Sequence, residues 1–315
     1  MSTMETAGRY AAVGYRRRRS PLGRDWQLGY AMVLPVVAVI LGLIAYPLGY
    51  SFWLSLHDIK LGGEGRWVGL GNYYKLLFDD GARIHRDFLN SAKVTLIYVG
   101  GALCFKFVVG LITALILNAE IKGRGFFRAL LFLPWSVPGI VSAYSWKWIF
   151  NDVNGLANNL LIGFGLISAP ILFLGDPMVA MWSVLVAATW QGTPFWTMTI
   201  LAGLQSIPSD VYEAAEIDGA STAQSFQFIT LPLLTPVFVV TFMLSGIFTT
   251  NAIQTIYILT AGGPANATET FPLLALSQGM RAYDLGIAST VPLLFFPLFG
   301  VMIYFLTRRM LRTEG

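Results

Sequence analysis

Stretches free of Asp, Glu, Lys and Arg recur along this chain at lengths for which a soluble fold has little use. Residues 28–56, 177–209, 219–268 and 285–307 carry no such side chain, and neither does the shorter stretch 129–146. Residues 94–118 match them except for Lys106 near the middle. A hydrocarbon core of about 30 Å takes roughly 20 apolar residues at 1.5 Å each. The pattern predicts six transmembrane helices, at about 28–56, 92–118, 127–150, 178–204, 231–259 and 286–307. Buried helices of a soluble core rarely run so long or recur so often. Pro35, Pro47, Pro134, Pro138, Pro194, Pro236, Pro292 and Pro297 fall inside these spans. Each removes a backbone donor and predicts a local distortion that neighbouring helices must satisfy.

Composition sharpens this picture. Of the 315 residues, 55% are apolar and 12% charged, where a soluble domain has about 45–50% and about 25%. The mean hydropathy is +0.63. A disordered chain and a collagen-like fibre are excluded, and the single Cys104 excludes a disulfide framework or a thiolate metal site. The net charge of +4 reflects basic loops and does not call for a nucleic-acid partner.

Those bases set an orientation. With the N-terminus cytoplasmic, the inside holds Arg9, Arg16 to Arg19, Arg24, Lys122, Arg124, Arg128, Arg308, Arg309 and Arg312, twelve in all, against eight outside. Both termini are then cytoplasmic, and Arg16–Arg19 beside the first span is the strongest anchor. The first outer loop departs from the rule, since its six bases are interleaved with five acids. The first apolar stretch is too long for a signal-peptide core and has no A-x-A site, so it reads as a retained span. Trp53, Trp146 and Trp148 fall near outer helix ends, where an amphipathic indole is favoured.

Much familiar chemistry is missing. None of the six lysines follows a glycine, so no Walker A loop exists to cradle ATP phosphates. The two histidines, His57 and His85, form no H-E-x-x-H zinc site, and there is no G-x-S-x-G elbow. The spans also lack the intramembrane carboxylates on which ion-coupled carriers depend. The chain reads as non-catalytic, with no metal and no cofactor of its own.

The loop after the fourth span is the most informative segment. Pro208 and Ser209 begin a helix, Asp210 stands at capping-box spacing from Glu213, and Ala214 and Ala215 are small enough for close approach by another backbone. Gly219 suits the left-handed turn that ends such a helix. A second short helix is expected to run to Pro232, where span five begins. Asp210, Glu213, Glu216 and Asp218 give the loop four acids and no base, a knob suited to a basic groove on a soluble partner.

The spacing Glu213-Ala214-Ala215, Gly219, Ile229, Leu231, Pro232 resembles the EAA signature of permease subunits in bacterial ABC importers. Phe126 to Trp135, Trp190 to Phe195 and Leu259 to Pro264 resemble the carbohydrate branch, and the last of them is similar to the maltose- and glycerol-phosphate-type first permease subunits. The resemblance covers nearly everything beyond Trp26. It implies an all-α, type I permease fold in the bacterial plasma membrane. A cytoplasmic tail 1–27 would precede a permease domain 28–308, with its core at about 90–308, coupling loop at 206–232 and a tail at 309–315. It implies a second homologous permease in a heterodimer, two copies of an ATPase subunit that bind ATP and Mg, and an extracytoplasmic substrate-binding protein. Glu213 would meet a basic residue of the ATPase. The imported solute would be a sugar, or alternatively glycerol phosphate or another polar solute. A pore acting alone, or a membrane enzyme, is the reading from a different class.

Solute candidates lie on spans four and five. Gly192, Phe195 and Trp196 surround Pro194, while Thr250 with Gln254 and Asn251 with Thr255 form i,i+4 pairs beside Thr249. The resemblance carries Gly192, Phe195, Trp196, Thr249 and Asn251 to the solute pocket, and Gln254 joins them by position. The same polar groups could instead serve as glue between helices. Lys106 costs about 2.5–3.5 kcal/mol at a helix centre. It is expected to face a partner or a wet cavity, to snorkel if the helix is shifted, or to act as a pathway charge that receives an anionic solute such as a phosphorylated polyol.

Overall fold

The structure, a computed structural model, describes residues 26–313, which are helical almost throughout. Arg9, Arg16–Arg19 and Arg24, the main anchor of the orientation, lie outside the described residues, as do residues 314–315. In chain order the elements are α1 (Trp26–Ile40), α2 (Tyr46–Ser55), the two-residue strands β1 (His57–Asp58) and β2 (Arg66–Trp67), and α3 (Gly71–Leu77). There follow α4 (Arg83–Asn118), α5 (Arg124–Ser136), α6 (Gly139–Ile149), α7 (Leu156–Gly163), α8 (Pro177–Ser206), α9 (Ser209–Ile217) and α10 (Thr222–Ser225). The last are α11 (Leu231–Thr250), α12 (Ile253–Leu259), α13 (Phe271–Met280) and α14 (Leu285–Thr313).

The chain divides into two units, residues 1–51 and 52–315. The described part of the first is helix, with exposed apolar side chains such as Met32, Leu34 and Leu43. A π turn at Leu41–Ala45 joins α1 to α2, and a second at Phe226–Thr230 joins α10 to α11. Each ends two residues before a proline, Pro47 or Pro232. Proline has no amide hydrogen for the carbonyl one turn back, and one wide turn takes up the mismatch without breaking the helix. The expected division at Pro232 is thereby corrected, because helix runs unbroken from Thr222 to Thr250.

The second unit is built on α4 and α8. Small residues bring them together: a Cβ on Gly110 would stand 2.5 Å from the Cβ of Trp196. Three buried clusters surround this pair. One joins Tyr98 and Ala102 of α4 to Ala143 of α6, Val184 of α8 and Ile256 of α12. A second sets Ala114 and Leu117 against Trp196, Ile200 and Leu204, with Leu234 of α11. In the third, Leu76, Phe88, Leu274 and Val291 unite α3, α4, α13 and α14. Polar ties reinforce them, as Thr95 Oγ1 accepts from the Phe271 amide at 2.9 Å and Asn72 Nδ2 donates to the carbonyls of Ser55 and His57 at 2.9 and 2.8 Å.

Three described runs are long and apolar enough to cross a membrane: Gly29–Ser55, Arg83–Asn118 and Thr222–Thr250. The pair Arg124–Ser136 and Gly139–Ile149 makes a fourth if counted as one span, but it is bent by 93°. The straight helix expected over 127–150 is thus corrected. Pro138 pushes Val137 out of the helical region, to ψ 127°, and forces the turn. Pro177–Ser206 is one helix of 30 residues whose apolarity is diluted by Thr189, Gln191, Thr193 and Ser206. The continuous helix expected over 231–259 is also corrected, because it stops at Thr250 and restarts at Ile253.

Between α12 and α13, outside the expected spans, Leu259 to Pro264 forms a tight turn in which Gly262 adopts φ +91°. Its side chains are locked by a 2.6 Å bond between the Thr260 and Thr268 hydroxyls. Glu269 follows, 8% exposed, and its Oε1 accepts from Ser277 Oγ at 3.2 Å. Burial raises its proton affinity above the usual carboxylate range, and the Asp87 charge adds to this, against opposing contributions from the Ser277 bond, Arg281 and Arg83. A carboxyl whose affinity is raised on folding binds its proton more tightly in the folded state. Its stabilisation is therefore full below the unfolded value and is lost as pH rises through the folded one. Glu269→Gln keeps an acceptor for Ser277 and is expected to flatten the pH dependence of thermal unfolding above the ordinary carboxylate range. Equal slopes for variant and parent would contradict this.

Candidate functional site

The sequence-singled residues converge on a cavity of about 680 Å³ inside the second unit, lined from α4, α5, α8, α11 and α12. The break after Thr250 shapes its mouth. Thr250 Oγ1 and Asn251 Nδ2 donate back to the carbonyls of Gly246 and Ile247 at 2.7 and 2.9 Å. Side chains thus compete with the backbone ladder for the last carbonyls, and the helix ends there. Thr250/Gln254 and Asn251/Thr255 consequently do not share one helical face. The break itself instead brings Asn251, Gln254 and Thr255 to the cavity wall with Thr249.

Gly192 and Phe195 line the same cavity from α8. The Phe195 ring meets Phe248 edge-on and tilts toward Trp135, with centroids 6.4 Å apart in each case, giving one aromatic side. Gly192 is the floor on which the Lys106 stem lies: a Cβ there would stand 2.5 Å from Lys106 Cε. The lysine is 6% exposed and donates from Nζ to Thr249 Oγ1 at 2.8 Å. Among the described residues the cavity wall combines amides, hydroxyls, one ammonium and aromatic faces, with no carboxylate. Such a site can hold a solute rich in hydroxyl groups by convergent hydrogen bonds and stacking. A cavity of about 740 Å³ beside it, lined by Phe105, Leu131, Trp182 and Trp190 among others, has an almost wholly carbon wall and offers a polyol little.

Trp196 does not take the position expected of it. It is fully buried, packs edge-on against Phe107 and Phe242, and its indole donates to Ser245 Oγ at 2.9 Å. It orients Ser245, which does line the cavity. The sequence reading passed over Tyr98, Trp135, Ser245 and Phe248. Tyr98 was findable, since it lies eight residues before Lys106 and so on the same helical face.

The second constellation is α9 with the turn after it. Gly219 has φ +82°, and the Ala220 amide donates to the Ala215 carbonyl at 2.9 Å, a Schellman closure that stops the helix as its glycine predicts. Asp210 and Glu213 form no capping box, because Pro208 occupies the cap position and no side chain closes it. The box stands one helix later, where Ser221 and Gln224 cap α10 reciprocally. The spacing S-x-x-Q carries that signal. Tyr212 and Thr230 hydroxyls, 3.0 Å apart, clip α9 to the base of α11. Glu213 and Ala214 are exposed, and among the described residues no ion pair involves Glu213. Ile229 and Leu231 are half-buried and Pro232 is exposed.

Comparison with known proteins places this geometry in context. A family profile described as "Binding-protein-dependent transport system inner membrane component" matches residues 106–312. The trehalose/maltose transport system permease protein MalF of Thermococcus litoralis is 42% identical over 276 residues, covering 87% of this chain and 90% of that protein. The trehalose transport system permease protein SugA of Mycobacterium tuberculosis is 29% identical over 280 residues, covering 88% and 87%. Among solved structures, a chain of a bacterial ABC transporter involved in the import of the acidic polysaccharide alginate superposes with a TM-score of 0.76 at 23% identity, covering 93% of this chain and 98% of that one.

Proposed function

The chain belongs to the family of binding-protein-dependent transport system inner membrane components, and from that premise we propose that it forms half of the solute pathway of an ATP-driven saccharide importer. The observation that carries the reading is the 42% identity, across 87% of the chain, with a trehalose/maltose permease. The cavity's chemistry supports it, since hydroxyls, amides and aromatic faces are what a neutral disaccharide needs. We assign Gly192, Phe195, Thr249, Asn251 and Gln254 to the solute.

The proposal extends to the assembly. Six spans between residues 28 and 308, with both termini cytoplasmic, would sit in the bacterial plasma membrane beside a second homologous permease. Two ATPase subunits would carry ATP and Mg, and an extracytoplasmic binding protein would deliver the solute. Closure of the ATPase pair would pull on Glu213, Ala214, Ala215 and Gly219. Ile229, Leu231 and Pro232 would pass that motion to α11, so that the bundles rock about the cavity. The continuous helix from Thr222 to Thr250 supports this, because a rigid lever transmits displacement where a hinge would absorb it.

The test is reconstitution of the chain with its permease partner, ATPase subunits and binding protein in liposomes. Trehalose uptake that needs ATP and the loaded binding protein is expected. Uptake or ion conduction by this chain alone would point to the pore reading instead.

A further inference from the structure

The sugar site described above draws on α8, α11 and α12, yet the two strongest polar groups in the cavity come from α4. Tyr98 and Lys106 lie eight residues apart on one face, about 12 Å along the axis at 1.5 Å per residue. That length is of the order of a disaccharide. Ala102, midway between them, is packed in the core cluster that adjoins the cavity and does not itself line it.

Neither group is fully satisfied among the described residues. The Tyr98 side chain is 1% exposed, and its hydroxyl is a buried atom with no hydrogen-bond partner. Buried hydroxyls are as a rule bonded, and an orphan in a cavity wall points to something that enters the cavity. The Lys106 ammonium has three protons to give, and among the described residues its one hydrogen bond is to Thr249. Among the described residues no acid lines the cavity to neutralise it. A buried charge without a counter-ion is costly and persists where it has work to do. Thr249 is itself assigned to the solute, so the lysine holds that hydroxyl in place and presents its remaining protons beside it.

We propose that α4 is a third wall of the solute site, on which Lys106 and Tyr98 bind the hydroxyl oxygens of the saccharide. Lys106 donates to two of them from the centre of the membrane domain, and Tyr98 takes the far ring. Gly192 is required beneath the lysine stem, which a side chain there would displace. This rests on the saccharide-importer reading and adds to it a residue pair and a helix that the resemblance to known permeases does not supply.

The experiment uses the full assembly in liposomes with trehalose as the probe, and reads solute moved per ATP hydrolysed. Parent complex without ATP-driven trehalose uptake would sink the importer reading before any variant is compared. Given uptake by the parent, Tyr98→Phe and Lys106→Gln are each expected to lower trehalose per ATP at least fivefold, because the motor cycles on a pathway that no longer grips its cargo. A purely structural lysine would change thermal stability and leave this ratio alone. Tyr98→Phe removes an oxygen that has no hydrogen-bond partner among the described residues, so it keeps the fold even if Lys106→Gln does not. A parental ratio in Tyr98→Phe, or in a folded Lys106→Gln, overturns the proposal.

Discussion

Replacing Glu213 with arginine is expected to abolish ATP-driven uptake while leaving the chain folded and inserted. Both halves follow from the position of the residue. Glu213 is exposed on α9 and makes no ion pair among the described residues, so reversing its charge removes nothing that holds the chain together. The same exposure leaves it free for a basic groove on an ATPase subunit. Truncating one member of a charge pair at an interface costs about 2–5 kcal/mol, and reversal adds repulsion to that. A loss of at least 100-fold in uptake follows, since 1.4 kcal/mol is about one decade. Uptake measured beside membrane yield separates docking from folding, and wild-type uptake would remove Glu213 from the coupling contact.

The largest effect on folding is expected from Gly110→Leu. Helices in lipid gain little from apolar burial against each other, so close packing and small residues hold them together. At Gly110 even a methyl group would stand 2.5 Å from Trp196 Cβ and 3.4 Å from the Thr197 amide nitrogen. Trp196 cannot retreat, being fully buried and tied to Ser245. Overpacking of this kind costs about 1–3 kcal/mol and occasionally more. A four-carbon side chain aimed at a helix backbone belongs at the upper end. Gly100→Leu, on the same helix with open space around it, is the control and is expected to fold normally. Thermal unfolding in detergent compares the two, and equal midpoints would contradict the packing account.

Much of this was legible from hydropathy and spacing because lipid imposes so simple a rule. Each long uncharged stretch is mostly helical, Gly219 ends α9 as its missing Cβ allows, and Gly192, Phe195, Thr249, Asn251 and Gln254 meet in one cavity. What escaped has a common cause. In a span that is apolar all round, periodicity does not say which side faces a neighbour. Trp196 and Phe195 are adjacent and equally aromatic, yet one is core and the other lines the cavity. Local breaks were hidden for a different reason. The interruption at Asn251 depends on side chains taking backbone carbonyls, and the bend at Val137 depends on one proline among several. Pro194 and Pro236 sit inside continuous helices, so proline alone does not mark the turn.

The account stands on the exposed acidic helix α9 being held by an ATPase subunit. Cys104 is the single cysteine, so a Cys104→Ser chain carrying Ala214→Cys has one thiol, at an exposed position of that helix. Membrane vesicles containing the full assembly are treated with a short thiol-to-thiol crosslinker, the ATPase carrying single cysteines around its membrane-facing cleft. The account predicts an adduct of the two chains whose yield changes when ATP is bound. Vesicles that transport the sugar yet give no adduct from Ala214→Cys to any cleft position would contradict it.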